Sequence, residues 1–159
     1  MVEKIKKDID LEKVEKIRAA GKLKDIETVI ELIRKDNESD AGKAAHVLLG
    51  DIKDKAVIPI ILSALQKTEN KHIQRELIQA CWESRLDYSE HLPFFVDMFL
   101  SLDYVEALEA FTLIENTFLD FPPPTEMITD LVIKIKSVLM KLPEHKQNLA
   151  MELLHAIQG

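Results

Sequence analysis

A single cysteine, Cys81, stands among the 159 residues, so no intramolecular disulfide can form. That usage suits a reducing compartment, and the core must be held by packing alone. Four glycines are too few for a protein built on hairpins or phosphate-cradling loops. The glycine-dependent signatures GxxxxGK[ST], GxGxxG and GxSxG are all missing, and so are HExxH and CxxC. No run approaches the roughly 20 consecutive apolar residues of a membrane span. The opening MVEKIKKDIDLEKVEK lacks the apolar stretch of a signal peptide. These absences lead us to expect a soluble, cytoplasmic chain with no membrane association. The last deficit is of positive charge: no Lys or Arg occurs between Arg85 and Lys134. Residues 56–126 hold 4 basic and 12 acidic side chains, whereas residues 1–55 hold 13 of each. Nucleic-acid binding requires cations against phosphates, so the middle of the chain is unsuited to it.

What is present is helical periodicity. The apolar fraction is 47%, enough for a core, and apolar residues recur at i, i+3, i+4 and i+7 almost throughout. Ile26, Val29, Ile30 and Ile33 mark a helix over about 23–35. Ala41, Ala44, Ala45, Leu48 and Leu49 mark a second, starting near Ser39 or Asp40. A shift of 32 residues brings the pattern back as Ile58, Ile61, Leu62 and Leu65, followed by Ile73, Leu77, Ala80 and Cys81. Leu92, Phe95, Val96 and Phe99 open a third pair, continued by Tyr104, Ala107, Leu108, Phe111 and Thr112. A longer, less regular fourth pair carries Ile128, Leu131, Val132, Ile135 and Leu139, then Leu149, Ala150, Leu153 and Ile157. Helix pairs repeating every 30–45 residues indicate a solenoid, each pair burying its stripe against its neighbours. The expected fold is therefore all-α: a right-handed superhelix of about four pairs (22–53, 55–86, 88–119 and 123–158) in one domain. Residues 1–21 form an N-terminal cap. Gly21 is placed to end a helix over 11–20, and Asp87 or Ser89 to cap the third pair. Pro122-Pro123-Pro124 and Pro143 separate later helices. Val2, Ile5 and Ile9 are out of phase with Val14 and Ile17, which predicts a break near Asp10.

Ile58-Pro59 of AVIPIILSAL and Leu92-Pro93 of EHLPFFVDMF fall early in first helices, and SDAGKAAHVLLGDI supplies a short polar turn and a small-residue second helix. On these residues the chain resembles the HEAT/armadillo class over roughly 22–157. It departs at Glu27, where the first pair would carry proline, and in the off-period fourth pair. The stretches CWESRLDYSEHLPFF and EALEAFTLIENTF are similar to uncharacterised bacterial HEAT-repeat proteins. The resemblance implies a scaffold for protein interaction; a minority of the class are DNA glycosylases or act as chromophore-lyase-like factors.

Residues 80–95, ACWESRLDYSEHLPFF, gather Cys81, Trp82, Glu83, Asp87, Tyr88 and His91, a mixture compatible with chemistry. On the repeat, however, Cys81 takes a core position aligned with Leu49, and buried cysteine behaves as a small hydrophobe. Trp82 falls on the adjacent face, between Ile78 and Leu86, as packing between repeats requires. His46, His72, His91, His145 and His155 form no i,i+4 pair, so no metal, cofactor or catalytic residue is expected, and the chain is not expected to be an enzyme. The acidic surface remains. Glu76, Glu83, Glu106, Glu109 and Glu115 lie on second helices, which usually line the concave face of such solenoids. They are the candidate contacts for a protein or peptide partner of basic character. The rival readings are a glycosylase-type enzyme, disfavoured by the cation-free stretch 86–133, and a structural subunit that self-associates. A monomer or weak homo-oligomer is expected.

Overall fold

The computed structural model describes residues 2–159, and the side chains of all of these but 4, 7 and 8. Among the described residues every regular element is helical. The chain forms two compact units, Met1–Leu86 and Asp87–Gly159. Their boundary falls where the sequence repeat passes from the second pair to the third.

Unit 1 contains α1 (Val2–Ala20), α2 (Ile26–Lys35), α3 (Asp40–Asp51), α4 (Val57–Lys67) and α5 (Lys71–Ser84). Each stop has a local cause. Gly21, at φ +60°, ends α1 in the left-handed conformation that glycine adopts without penalty. Ser39 caps α3, its Oγ accepting from Gly42 N at 3.0 Å. Asn70 caps α5, its Oδ1 accepting from His72 N at 2.9 Å and Ile73 N at 3.3 Å. Arg85 ends α5 at φ 54°. Ser39→Ala removes both that cap and the Oγ bond donated to Asp36 O at 2.7 Å. It should destabilise unit 1 by about 1 kcal/mol, read as a lowered urea midpoint in Trp82 fluorescence.

Packing follows the stripes. α2 lies against α3 and α4, and α3 touches α1, α2 and α5. First helices therefore meet first helices, and α1, α3 and α5 form a second row. Val29, Ile33, Ala45, Leu49, Leu77, Ala80 and Cys81 are fully enclosed, so Cys81 occupies the core position its register predicts. At roughly 25 cal/mol per Å² of apolar area, such burial is the main stabilising contribution.

The break expected near Asp10 is absent: α1 runs unbroken from Val2 to Ala20. Val14 and Ile17 are buried, while Val2, Ile5 and Ile9 are 81%, 53% and 57% exposed. The phase change marks a helix whose first half projects an apolar edge into solvent. Lys- and Glu-rich composition sustains it there without a partner face.

Unit 2 repeats the two-row plan with α6 (Leu92–Ser101), α7 (Tyr104–Asp120), α8 (Thr125–Val138) and α9 (Glu144–Gln158). α6 meets α7 and α8, and α9 meets α7 and α8. Asp87 does not cap α6 itself. Its Oδ1 accepts from Ser89 N at 2.9 Å and Ser89 Oγ at 2.6 Å, organising the 3-10 turn Ser89–His91 that leads into the helix. Pro93 enters α6 in its first turn, where no amide hydrogen is needed. Pro124 and Pro143 immediately precede α8 and α9. Tyr88 and Phe95 are fully buried and meet edge to face at 5.6 Å between centroids.

Cations close helix ends in both units. Arg34 of α2 donates to Ala64 O at 3.0 Å and to Thr68 Oγ1 at 2.9 Å, at the end of α4, while pairing with Glu31. Lys53 donates to Ser84 O at 2.6 Å, at the end of α5. In unit 2, Lys146 of α9 is 4% exposed. Its ammonium donates to Leu100 O at 2.9 Å and to Leu102 O, and it stands 5.7 Å from the Phe99 ring centroid. Terminal carbonyls lack intrahelical partners and carry the negative end of the helix dipole, so each cation satisfies both demands.

Candidate functional site

The five glutamates divide between the two units. Glu76 and Glu83 lie on α5 in unit 1; Glu106, Glu109 and Glu115 lie on α7 in unit 2.

Glu76 and Glu83 are seven residues apart and share one face of α5. Between them enters His46, from the middle of α3. Its Nδ1 is 2.5 Å from Glu76 Oε2, off the line of a good hydrogen bond, and its Nε2 is 3.1 Å from Glu83 Oε2. Gln79 Nε2 donates to the other Glu83 oxygen at 3.0 Å. The imidazole is mostly enclosed, with 13% of its side chain exposed. The two carboxylates are already engaged with a histidine 30 and 37 residues earlier in the chain. No spacing motif announces such a contact, because it depends on α3 and α5 meeting. Among the described residues no group of three or more His, Cys, Asp or Glu is disposed to hold a metal ion.

On α7 the structure makes a correction. Glu106 is buried, 8% exposed. It precedes Ala110, Leu113 and Thr117 by four, seven and eleven residues, and all three are buried. It thus sits at the head of the inward stripe, beside Ala107 and Ile114. The expected stripe of Tyr104, Ala107, Leu108, Phe111 and Thr112 was rotated toward solvent; only Ala107 of these is buried. The outward face instead holds Tyr104 (40% exposed), Val105 (49%), Leu108 (39%) and Leu119 (74%). Glu115 is exposed on the same face, seven residues after Leu108 and four before Leu119. Glu109 is half-buried at its edge. Tyr104 leans on His145 of α9, with ring centroids 5.8 Å apart. The aromatic surplus divides: Phe95 and Phe99 are enclosed, while Phe94, Phe111, Phe118 and Phe121 are half-buried.

Of the CWESRLDYSEHLPFF residues, Cys81 and Tyr88 are buried and Trp82 is half-buried. No helix among the described residues is long and apolar enough to cross a membrane. Comparisons with protein-family profiles, curated proteins and solved structures return no match. The class these observations define is an all-helical protein of two compact units, with an apolar, acid-bearing stripe on the outward face of α7.

Proposed function

We propose that the chain is a HEAT-like helical-repeat module, not an enzyme, and that it binds a basic amphipathic segment of a protein partner along the outward face of α7. One observation carries this reading: Tyr104, Val105, Leu108 and Leu119 form an exposed apolar stripe containing Glu115. The stripe lies within a stretch without Lys or Arg. An amphipathic helix offers apolar anchors at i, i+3, i+4 and i+7, and its lysines would answer the acidic charge. The two-row packing within each unit supports the HEAT-like assignment, since first helices meet first helices and second meet second.

A fluorescently labelled Lys/Leu amphipathic helix of about 18 residues, long enough to span α7, is the probe. Fluorescence anisotropy should show micromolar binding that weakens as salt rises. Leu108→Ser with Leu119→Ser should weaken it about tenfold or more, and Glu115→Lys several-fold. Equal binding by all three proteins would refute the reading. The rivals predict other results: a glycosylase-type protein would bind duplex DNA at low salt, and a self-associating subunit would raise its scattering mass with concentration through the same leucines.

A further inference from the structure

We propose that the α3–α5 joint of unit 1 is a proton-dependent clamp, closed when the His46 imidazolium bridges Glu76 and Glu83. The geometry sets the requirement. Two carboxylate oxygens face the two ring nitrogens: Glu83 Oε2 is in hydrogen-bond contact with Nε2 at 3.1 Å, and Glu76 Oε2 is 2.5 Å from Nδ1 as an ion-pair contact off the hydrogen-bond line. A neutral imidazole has one N–H, so its other nitrogen would present a lone pair to a carboxylate; only the imidazolium has a donor for each. Partial burial strengthens both the attraction and the mismatch.

The other charged groups around the ring are few. Lys43 of α3 and Glu38 of the α2–α3 turn line the groove of about 280 Å³ beside His46, together with Val47 and Gln79. From the remaining helices packed on α3, Arg18 of α1 is turned to Asp51. Arg34 and Lys35 of α2 are turned to Glu31 and Asp10. His72 and Arg75 of α5 line a neighbouring cavity with Glu76, and Glu76 and Glu83 are the charges in direct contact with the ring.

The sign follows. The bridge needs the histidine protonated and both glutamates ionised. It fails on the alkaline side as the ring loses its proton, and on the acid side as the carboxylates gain theirs. When the ring loses its proton, α5 loses one of its ties to α3 beside the groove.

Hydrogen exchange of the full chain, corrected for the intrinsic pH dependence of exchange, tests the proposal. Protection of amides 73–84 should fall about fivefold between pH 5.5 and pH 8. His46→Gln should remove that step and leave unit 2 unaffected. Glu83→Gln provides a second arm: its amide can donate to the bare Nε2 of a neutral ring. That variant should keep pH 8 protection at the pH 5.5 level. A step that persists in both variants, or no step in the wild type, overturns the clamp. If His46→Gln fails to fold, as judged by circular dichroism, the Glu83→Gln result decides alone.

Discussion

An alanine at position 42 is expected to destabilise unit 1 by about 3 kcal/mol, or to prevent its folding. Gly42 lies in the first turn of α3, and a Cβ there would stand 2.0 Å from Asp36 O and 2.9 Å from Asn37 Cα. Both obstacles are backbone, so no side chain can rotate aside. The same Asp36 carbonyl accepts from Ser39 N at 3.3 Å and from Ser39 Oγ. Moving it would dismantle the cap that starts the helix. Intrinsic propensity argues the other way, since alanine is favoured over glycine in a helix interior by about 1 kcal/mol. The overlap is the larger effect. Urea unfolding monitored by Trp82, the only tryptophan and a reporter of unit 1, should show a much lower midpoint. A midpoint equal to or above wild type would mean that the α2–α3 turn yields at little cost.

Lys146→Met is expected to cost unit 2 about 3 kcal/mol. Methionine matches the aliphatic length but leaves the Leu100 and Leu102 carbonyls without their charged donor. Hydrogen bonds to charged groups contribute about 1.5–3 kcal/mol each, and taking one member from a buried charged arrangement costs more than its net contribution when intact. Hydrogen exchange of α6 and α9 should accelerate by about two orders of magnitude, while Trp82 continues to report an unchanged unit 1. Lysine is replaced at this point without touching the α7 face, so probe binding should survive wherever unit 2 remains folded.

Both residues illustrate what could and could not be read along the chain. Helix periodicity was plain because stripes such as Ile26, Val29, Ile30 and Ile33 encode burial locally. The stops were legible for the same reason: Gly21, Ser39, Asn70, Pro93 and Pro143 act within a few residues of themselves. Glu106 was misplaced because an acidic side chain was assigned to solvent by type. Its spacing from Ala110, Leu113 and Thr117 already placed it inward. The continuity of α1 was missed because a loss of apolar phase was taken for a loss of helix. The engagement of Glu76 and Glu83 by His46 had no local signature at all. It arises from the packing of two helices, as do the roles of Gly42 and Lys146. Long-range polar contacts of this kind depend on where a side chain's end arrives, and composition does not encode that.

The cations at the helix ends have a consequence for how unit 1 can evolve. Arg34 reaches Ala64, thirty residues on, and Lys53 reaches Ser84, thirty-one residues on; each step is about one repeat. The second helix pair thus depends on the first for the charged groups that close both of its helices. Excising the first pair would take the charged donors from Ala64 O, which would keep only its bond from Thr68 Oγ1, and from Ser84 O, and duplicating it would require the copied arginine and lysine to find the same carbonyls again. Insertion or loss of a helix pair in unit 1 is constrained by these two side chains as well as by the apolar stripes.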